Sequence, residues 1–111
     1  MRINYANGLI YIIHKEGVND IYIGSTTNFN NRKYSHRFRC THPSSEYWDD
    51  KLYKIIRKKG PSFDDWKMEV LLEYPCASRD ELQQKERELI DKYANMNSSL
   101  PTTKSKSYSK L

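Results

Sequence analysis

Two short apolar runs joined by a polar turn, in the segment GLIYIIHKEGVNDIYIG (residues 8–24), most constrain how this chain folds. The runs are rich in isoleucine and tyrosine, which favour β-strands, and the KEGVND segment between them (residues 15–20) contains residues that tolerate turn geometry. The pattern predicts an antiparallel β-hairpin with a loop somewhat longer than the tightest turns. The predicted hairpin carries Tyr11 on one strand and Tyr22 on the other.

Three helices and a third strand are predicted after the hairpin. Asn28 suits the N-cap of a first helix, and a second helix is expected over residues 47–59, before a Gly-Pro pair. The segment WKMEVLLEY (residues 66–74) alternates and predicts a third strand. Ser78 suits the N-cap of the last helix, with Glu81 completing a capping box. The element order is β-β-α-α-β-α, which predicts an α/β (α+β) fold with a small three-stranded sheet flanked by helices.

The size of the chain suits one compact domain. It has 111 residues and a hydrophobic content of 37%, enough for one modest core. We expect residues 1–97 to form this domain and residues 98–111 to form a basic, loosely ordered tail. No membrane span or secretory signal is recognisable, so we expect an intracellular protein with no membrane partner. Cys40, His42 and Cys76 lack the second ligand pair of a zinc site, and we expect free thiols.

Charge is unevenly distributed along the chain. Residues 28–60 hold nine Lys and Arg against three acidic residues, whereas residues 61–95 hold nine acidic residues against five basic ones. The net charge is +5. A basic half of this kind favours a polyanionic partner, nucleic acid first, although a solvated surface is the other interpretation.

Three charged or titratable side chains fall at unusual positions of the predicted helices. Glu86 shares the predicted apolar face of the last helix, where a carboxylate is costly unless it is paired or bound to a metal. It could also lie at the edge of that face, or pair with Lys85 or Arg32. Arg32 and His36 are four residues apart and therefore share one helix face, where they could simply be solvated. The other members of the Glu86 face are Leu82, Leu89, Ile90 and Tyr93.

Two triplets in the hairpin resemble the signature of the GIY-YIG nuclease family. YIG (residues 22–24) matches the second triplet in full. LIY (residues 9–11) stands for the first triplet, with Leu9 and Ile10 in place of its Gly and Ile. The segments KLYKIIRKKG and WKMEVLLEYPCASRDEL also resemble the middle of standalone members, so the resemblance covers nearly the whole chain.

Four further positions match the family in order and spacing. Arg32 lies ten residues after the tyrosine of the second triplet, and His36 lies one helical turn later. The segment KERELIDKYANMN resembles the family segment that carries the metal-binding glutamate, which maps to Glu86. The family asparagine that orients a tyrosine or phosphate maps to Asn97, with Asn95 as the other choice.

The resemblance implies hydrolysis of a DNA phosphodiester bond with one divalent cation, Mg²⁺ or Mn²⁺. It implies that Glu86 binds the metal and that Arg32 grips phosphate oxygens with its planar guanidinium. Tyr11 would be the general base, with its pKa lowered from about 10 by the metal and by Arg32. Tyr22 would hold the water or a phosphate oxygen, and His36 would share the proton relay or contact phosphate.

The same resemblance implies that basic side chains hold the DNA backbone, with affinity that falls as salt rises. Tyr47, Trp48 and Trp66 are expected to pack in the core rather than stack on bases. The expected backbone contacts are Lys33, Arg37, Arg39, Lys51, Lys54, Arg57, Lys58 and Lys59.

Two other functions are compatible with the sequence. One is a catalytically inactive nucleic-acid-binding module with the same fold, and the other is a small adaptor whose basic face binds acidic partners. Among nucleases, we expect a freestanding enzyme, because no recognition module is recognisable in the sequence. The segment LPTTKSKSYSK resembles the tails of freestanding viral members, which favours a viral or mobile-element source. Such an enzyme would have low specificity, or would act as a homodimer or with a recognition partner. Cutting both strands would need two sequential events or a dimer.

Overall fold

The computed structural model describes residues 3–94, so Asn95, Asn97 and the expected basic tail lie outside the described residues. The predicted α+β fold and element order are confirmed. No helix within this range is long and apolar enough to cross a membrane. The strands and helices are β1 (Leu9–Lys15), β2 (Val18–Thr26), α1 (Phe29–Thr41), α2 (Lys51–Lys59), β3 (Lys67–Glu73) and α3 (Arg79–Tyr93).

The β1–β2 hairpin is tighter than the sequence suggested. Lys15 already pairs with Val18, so the loop consists of Glu16 and Gly17 alone. Gly17 has a φ of 83°, in the left-handed region that two-residue hairpin turns require. The expectation of a longer loop is wrong because Asn19 and its neighbours, although typical of turns, belong to the strand.

The sheet has the order β2-β1-β3, and β1 is antiparallel to both neighbours. Because side chains alternate along a strand, each face of β1 packs on different helices. Tyr11 and Ile13 pack in a core with α1 and α2, whereas Ile10 joins Ile23 of β2 in a second core with α3. The sheet therefore lies between a layer formed by α1 and α2 and a layer formed by α3. Strand β2 is one of the two edge strands of this sheet.

The second helix begins at Lys51, four residues later than predicted, because the preceding residues form turns. The Arg57 guanidinium lies over the Trp48 ring, 3.5 Å from its centroid, and donates a hydrogen bond of 2.7 Å to the Trp48 carbonyl. This contact joins the turn to the helix. The buried face of α2 also includes Tyr53, whereas Ile55, expected on that face, is only partly buried.

The last helix begins as predicted at Ser78, whose side chain accepts a hydrogen bond from the Glu81 N–H. The Glu81 carboxylate accepts from the Ala77 N–H instead of the Ser78 N–H, so the expected capping box is shifted by one residue. Tyr93 is 41% exposed and does not belong to the buried face of α3, contrary to expectation.

The ring of Tyr11 lies over the backbone of Gly24, its cross-strand partner. A Cβ atom on Gly24 would lie 2.5 Å from the Tyr11 hydroxyl oxygen and 2.6 Å from Cζ. Both distances are far below a van der Waals contact, so a side chain at Gly24 and the Tyr11 ring cannot occupy their present positions together. The glycine of the YIG triplet therefore leaves the space in which the tyrosine of β1 lies.

Replacing Gly24 by alanine should lower the free energy of unfolding by about 1–3 kcal/mol, because the Tyr11 ring must move in a packed core. Urea denaturation measures this loss. In a Tyr11→Ala background the same Gly24→Ala change should be neutral, or stabilising by about 0.5–1 kcal/mol, because alanine suits a strand better than glycine. An equal loss in both backgrounds would contradict the contact.

Candidate active site

A hydrogen-bonded chain of three aromatic side chains connects β1, α1 and α2. The Tyr11 hydroxyl lies 2.7 Å from Nε2 of His36, and Nδ1 of His36 lies 2.8 Å from the Tyr53 hydroxyl. Tyr11 and His36 are each 1% exposed, and Tyr53 is 2% exposed. The imidazole thus has a tyrosine hydroxyl on each ring nitrogen and no solvent contact.

His36 is held in its neutral form. Burial, with smaller effects of the positively charged Arg32 and Arg39, lowers the pKa of His36 to about 3. The expectation that His36 could be solvated or contact a phosphate is wrong, since the ring is enclosed and both nitrogens are engaged with tyrosines. Its position allows it to act only through Tyr11 or Tyr53.

Tyr22 lies beside Tyr11, with ring centroids 6.2 Å apart. Burial raises the pKa of both hydroxyls, and the negative charge of Glu86 raises them further, whereas the positive charge of Arg32 lowers them. Burial is the largest of these effects. Arg32 lowers the pKa of Tyr11, as expected, but burial outweighs this effect in the protein alone, and the pKa is raised well above its usual value.

Glu86 reaches the other face of the sheet. One oxygen of its carboxylate accepts a hydrogen bond from the Ser25 hydroxyl. Burial raises the pKa of Glu86, and the hydrogen bond from Ser25 and the charges of Arg32 and Arg87 lower it. The alternative pairing with Lys85 does not occur, because that side chain pairs with Glu88.

The edge strand β2 lies between the tyrosine pair, Tyr11 and Tyr22, and the Glu86 carboxylate. Tyr22 and Gly24 face the α1 side of the sheet, opposite Ile13 and Tyr11, whereas Ser25 is opposite Ile10 and faces the α3 side. Arg32, at the beginning of α1, acts electrostatically on the tyrosines and on the carboxylate. The candidate site therefore lies around β2, with hydroxyls on one side and a carboxylate on the other.

The Glu86 carboxylate fits a hard divalent cation. Its second oxygen has no hydrogen-bond partner among residues 3–94, and burial disfavours its negative charge. Oxygen ligands suit Mg²⁺, which keeps several waters and binds through one or two carboxylates plus phosphate. The described residues include no group of three or more His, Cys, Asp and Glu side chains that could hold a metal ion.

Two residues in this site were given no role by the sequence. Ser25 directly follows the YIG triplet, and its position after an inward-facing glycine was the available signal. Tyr53 is three residues before Ile56 on the apolar face of α2, but a tyrosine at helical spacing usually indicates packing. Only the fold shows that both contact predicted site residues.

Several of the expected DNA-contacting cations have partners within the protein. Arg37 donates to Asp64 at 3.0 Å, and Lys59 pairs with Asp20 at 2.7 Å. Arg57 is half-buried against Trp48, so its expected place on a free basic surface is wrong. The remaining four lysines have no partner within the described part of the chain: Lys33, Lys51, Lys54 and Lys58.

An open cleft lies beside the C-terminal half of α1, which carries Arg39. It has a volume of about 340 Å³ and is lined by Tyr34, Phe38 and Tyr47, together with the Arg39 guanidinium, which lies 3.9 Å from the centroid of the Tyr47 ring. Tyr47 is 37% exposed, so the expectation that it packs in the core is wrong, whereas Trp66 is buried as expected. The exposed rings of Tyr34 and Phe38 and the Arg39 guanidinium therefore lie on the same helix as Arg32.

The neutral, buried state of His36 should make the protein less stable in acid. Below a pH of about 6.5 a histidine in the unfolded chain binds a proton that His36 does not bind until the pH approaches 3. Stability should therefore fall between these values, by at most about 1.4 kcal/mol per pH unit for this proton. Urea unfolding of wild type and His36→Gln at pH 7 and pH 5 measures the difference.

His36→Gln should lose less stability between the two pH values than wild type does. His42→Gln, which changes an exposed histidine, is the matched control and should keep the wild-type dependence. An equal pH dependence in wild type and His36→Gln would contradict a native His36 that resists protonation.

The family comparison agrees with the geometry of the site. The GIY-YIG catalytic domain model matches residues 7–99. Searches of the curated proteins and of the solved structures found no match. The matched range includes β1, β2 and all three helices, and with them Tyr11, Tyr22, Arg32 and Glu86. The chain therefore belongs to the GIY-YIG family, and most of its length is the catalytic domain of a nuclease.

Proposed function

We propose that this protein is a DNA endonuclease that hydrolyses phosphodiester bonds with Mg²⁺ or Mn²⁺. One observation carries the proposal: Tyr11, Tyr22, Arg32 and Glu86, which are distant in sequence, lie together around the edge strand β2. A tyrosine pair, a guanidinium and a single carboxylate supply a base, a phosphate-binding group and a metal ligand.

Arg32 is the proposed phosphate-binding group. Its half-buried guanidinium has no hydrogen bond or ion pair within residues 3–94, so its donors are available to a ligand. A planar guanidinium binds two phosphate oxygens at once, which orients the phosphate as well as holding it. Tyr22 adds a hydroxyl on the same side of β2 and would hold a phosphate oxygen or the attacking water.

Tyr11 is the proposed general base: after its own proton has passed to Nε2 of His36, 2.7 Å away, the phenolate oxygen would take a proton from the attacking water. Glu86 would hold the cation through the oxygen that Ser25 leaves free. When bound, a divalent cation neutralises charge on the scissile phosphate and stabilises the leaving oxygen. Ser25 fixes the rotamer of the carboxylate, so that its free oxygen keeps one direction.

DNA would approach across the lysines without partners and the cleft on α1. Lys51, Lys54 and Lys58 are exposed on α2 at helical spacing, which forms a stripe of positive charge. The aromatic rings of Tyr34 and Tyr47 suit stacking on an unpaired base. These contacts favour DNA with locally exposed bases over a specific base sequence.

A binding module without catalysis is the second candidate. It is favoured by the burial of Tyr11, whose side chain is 1% exposed. This burial raises the pKa of the Tyr11 hydroxyl. A hydroxyl in that state rarely gives up its proton to become a base. Cleavage itself distinguishes the two candidates, because both would bind DNA.

Supercoiled plasmid should be nicked by wild type with Mg²⁺, and EDTA should abolish nicking. Tyr11→Phe removes only a hydroxyl and should reduce the rate about 10²–10⁴-fold, as expected for loss of a general base. Glu86→Gln should abolish Mg²⁺-dependent nicking because the amide is a poor ligand for a hard cation. Gel analysis of nicked and supercoiled plasmid gives the rates.

Tyr93→Phe and Glu88→Gln are the matched controls, since they make the same chemical changes on exposed side chains of α3. Both should nick at the wild-type rate. DNA binding by folded wild type without cleavage in either metal would replace the enzyme with the binding module. Cleavage that survives Glu86→Gln would place the metal on another residue.

The lysine stripe, Lys51, Lys54 and Lys58, should increase the salt dependence of DNA binding. Removing one lysine that binds a phosphate should reduce the slope of log K against log salt by about 0.9, so Lys54→Ala with Lys58→Ala should reduce it by about 2. Fluorescence anisotropy with a labelled duplex measures K between low and physiological salt. Lys67→Ala, an exposed lysine on β3, should leave the slope unchanged. Equal slopes for all three proteins would exclude the stripe from the DNA interface.

A further inference from the structure

Three exposed aromatic side chains line one cleft. Tyr34 and Phe38 are one turn apart on α1, and Tyr47 lies in the turns that precede α2. Single exposed apolar side chains are common, but a group of them in one cleft marks an interaction site. We infer that this cleft binds one unpaired DNA base and that Glu46, which also lines it, makes guanine the preferred base. The inference rests on the proposed function, because it takes DNA to be the ligand.

The cleft has the size and the walls that a base needs. Its volume of about 340 Å³ lies in the range of small-molecule pockets. The Arg39 guanidinium lies 3.9 Å from the centroid of the Tyr47 ring, and the Phe38 ring stacks on His42 with the two centroids 3.9 Å apart. Both contacts hold flat groups in place before a ligand binds. Unpaired bases stack on aromatic rings and on guanidinium planes, whichever base is present.

Glu46 gives the cleft a carboxylate, which is unexpected on a surface that binds DNA. The side chain is exposed and has no hydrogen bond or ion pair within residues 3–94. It is one of only three acidic residues in the basic segment 28–60. A carboxylate repels phosphate oxygens, so this part of the cleft does not suit the DNA backbone. The edges of the bases, by contrast, carry N–H donors that a carboxylate accepts.

A carboxylate distinguishes among the four unpaired bases. It has two acceptor oxygens and no donor. Guanine presents two adjacent donors on its Watson–Crick edge, N1–H and the N2 amino group, and can therefore pair with both oxygens at once. Adenine and cytosine each present an amino group beside a bare ring nitrogen, and thymine presents one N–H between two carbonyl oxygens. Because a carboxylate repels these bare acceptors, Glu46 favours guanine.

The position of the cleft relates the unpaired base to the cut. Arg39, which lines the cleft, lies two helical turns after Arg32 on the same face of α1. Two turns advance about 10.5 Å along a helix, and nucleotides of one strand are about 3.4 Å apart along duplex DNA. With Arg32 on the scissile phosphate, the base in the cleft belongs to a nucleotide within about three of the cut. The cleft thus adds a preference at one nucleotide to DNA binding that is otherwise insensitive to base sequence.

Duplexes that differ in one unpaired base test the cleft without cleavage. Each carries a single bulged guanine, adenine, cytosine, thymine or hypoxanthine, and fluorescence anisotropy in EDTA gives Kd for the full chain. The guanine duplex should bind about tenfold more tightly than the thymine duplex, which is the discrimination of one bidentate base contact. Hypoxanthine, which is guanine without the N2 amino group, should lie between the two.

Glu46→Gln replaces a pair of acceptors by one acceptor and one donor. Guanine should lose its advantage, and adenine should bind at least as tightly as guanine, because an amide pairs with an amino group beside a bare ring nitrogen. Glu88→Gln makes the same change on an exposed side chain of α3 and should keep the preference for guanine.

Tyr34→Ala tests the stacking surface separately from Glu46. It should weaken binding to every bulged duplex about fivefold or more and leave the order of the bases unchanged, since stacking does not depend on the base. Tyr93→Ala, on an exposed tyrosine of α3, is the matched control and should bind as wild type does.

Equal Kd values with and without a bulge would overturn the cleft as a base site. Equal Kd values for all bulged bases, or a guanine preference that survives Glu46→Gln, would overturn the role of Glu46. Because these measurements need no cleavage, guanine-selective binding by a protein that does not nick DNA would overturn the nuclease proposal alone. Nicking by a protein that binds all these duplexes equally would overturn the inference alone.

Discussion

The packing of the Tyr11 ring on the backbone of Gly24 is the contact on which the site depends. It places the hydroxyl of a strand residue at the interface with α1 instead of in solvent, within hydrogen-bond distance of His36. His36 in turn reaches Tyr53, so that one polar chain joins β1, α1 and α2 through the larger hydrophobic core. The same side chains therefore stabilise the core and form the site. Buried hydroxyls without hydrogen-bond partners would destabilise the core.

Local signals in the sequence were sufficient for most of the architecture. The hairpin and the cap at Ser78 depend on neighbouring residues, and the structure confirms both. The hairpin loop was overestimated because Asn and Asp are frequent both in turns and on exposed strand edges. The order β2-β1-β3 depends on pairing between strands more than 50 residues apart in sequence, which no local pattern encodes.

The candidate site could be predicted only in part, because its contacts also join residues that are distant in sequence. The resemblance predicts Tyr11, Tyr22, Arg32 and Glu86 as site residues, and the fold brings them together around one strand. It does not reveal the partners of these residues, Ser25 and Tyr53, because each partner is distant in sequence and has a side chain common in ordinary packing. It also does not reveal burial, and burial raises the pKa of Tyr11 by more than Arg32 lowers it.

The contact between Arg57 and Trp48 has a consequence for anyone who redesigns this protein. Charge-neutralising or supercharging libraries treat surface arginines and lysines as interchangeable, and Arg57 belongs to the most basic segment of the chain. Its guanidinium holds the turn before α2 through the indole ring and the main-chain carbonyl. A library that varies Lys54 and Lys58 but keeps Arg57 would change the surface charge and preserve the contact that holds this turn.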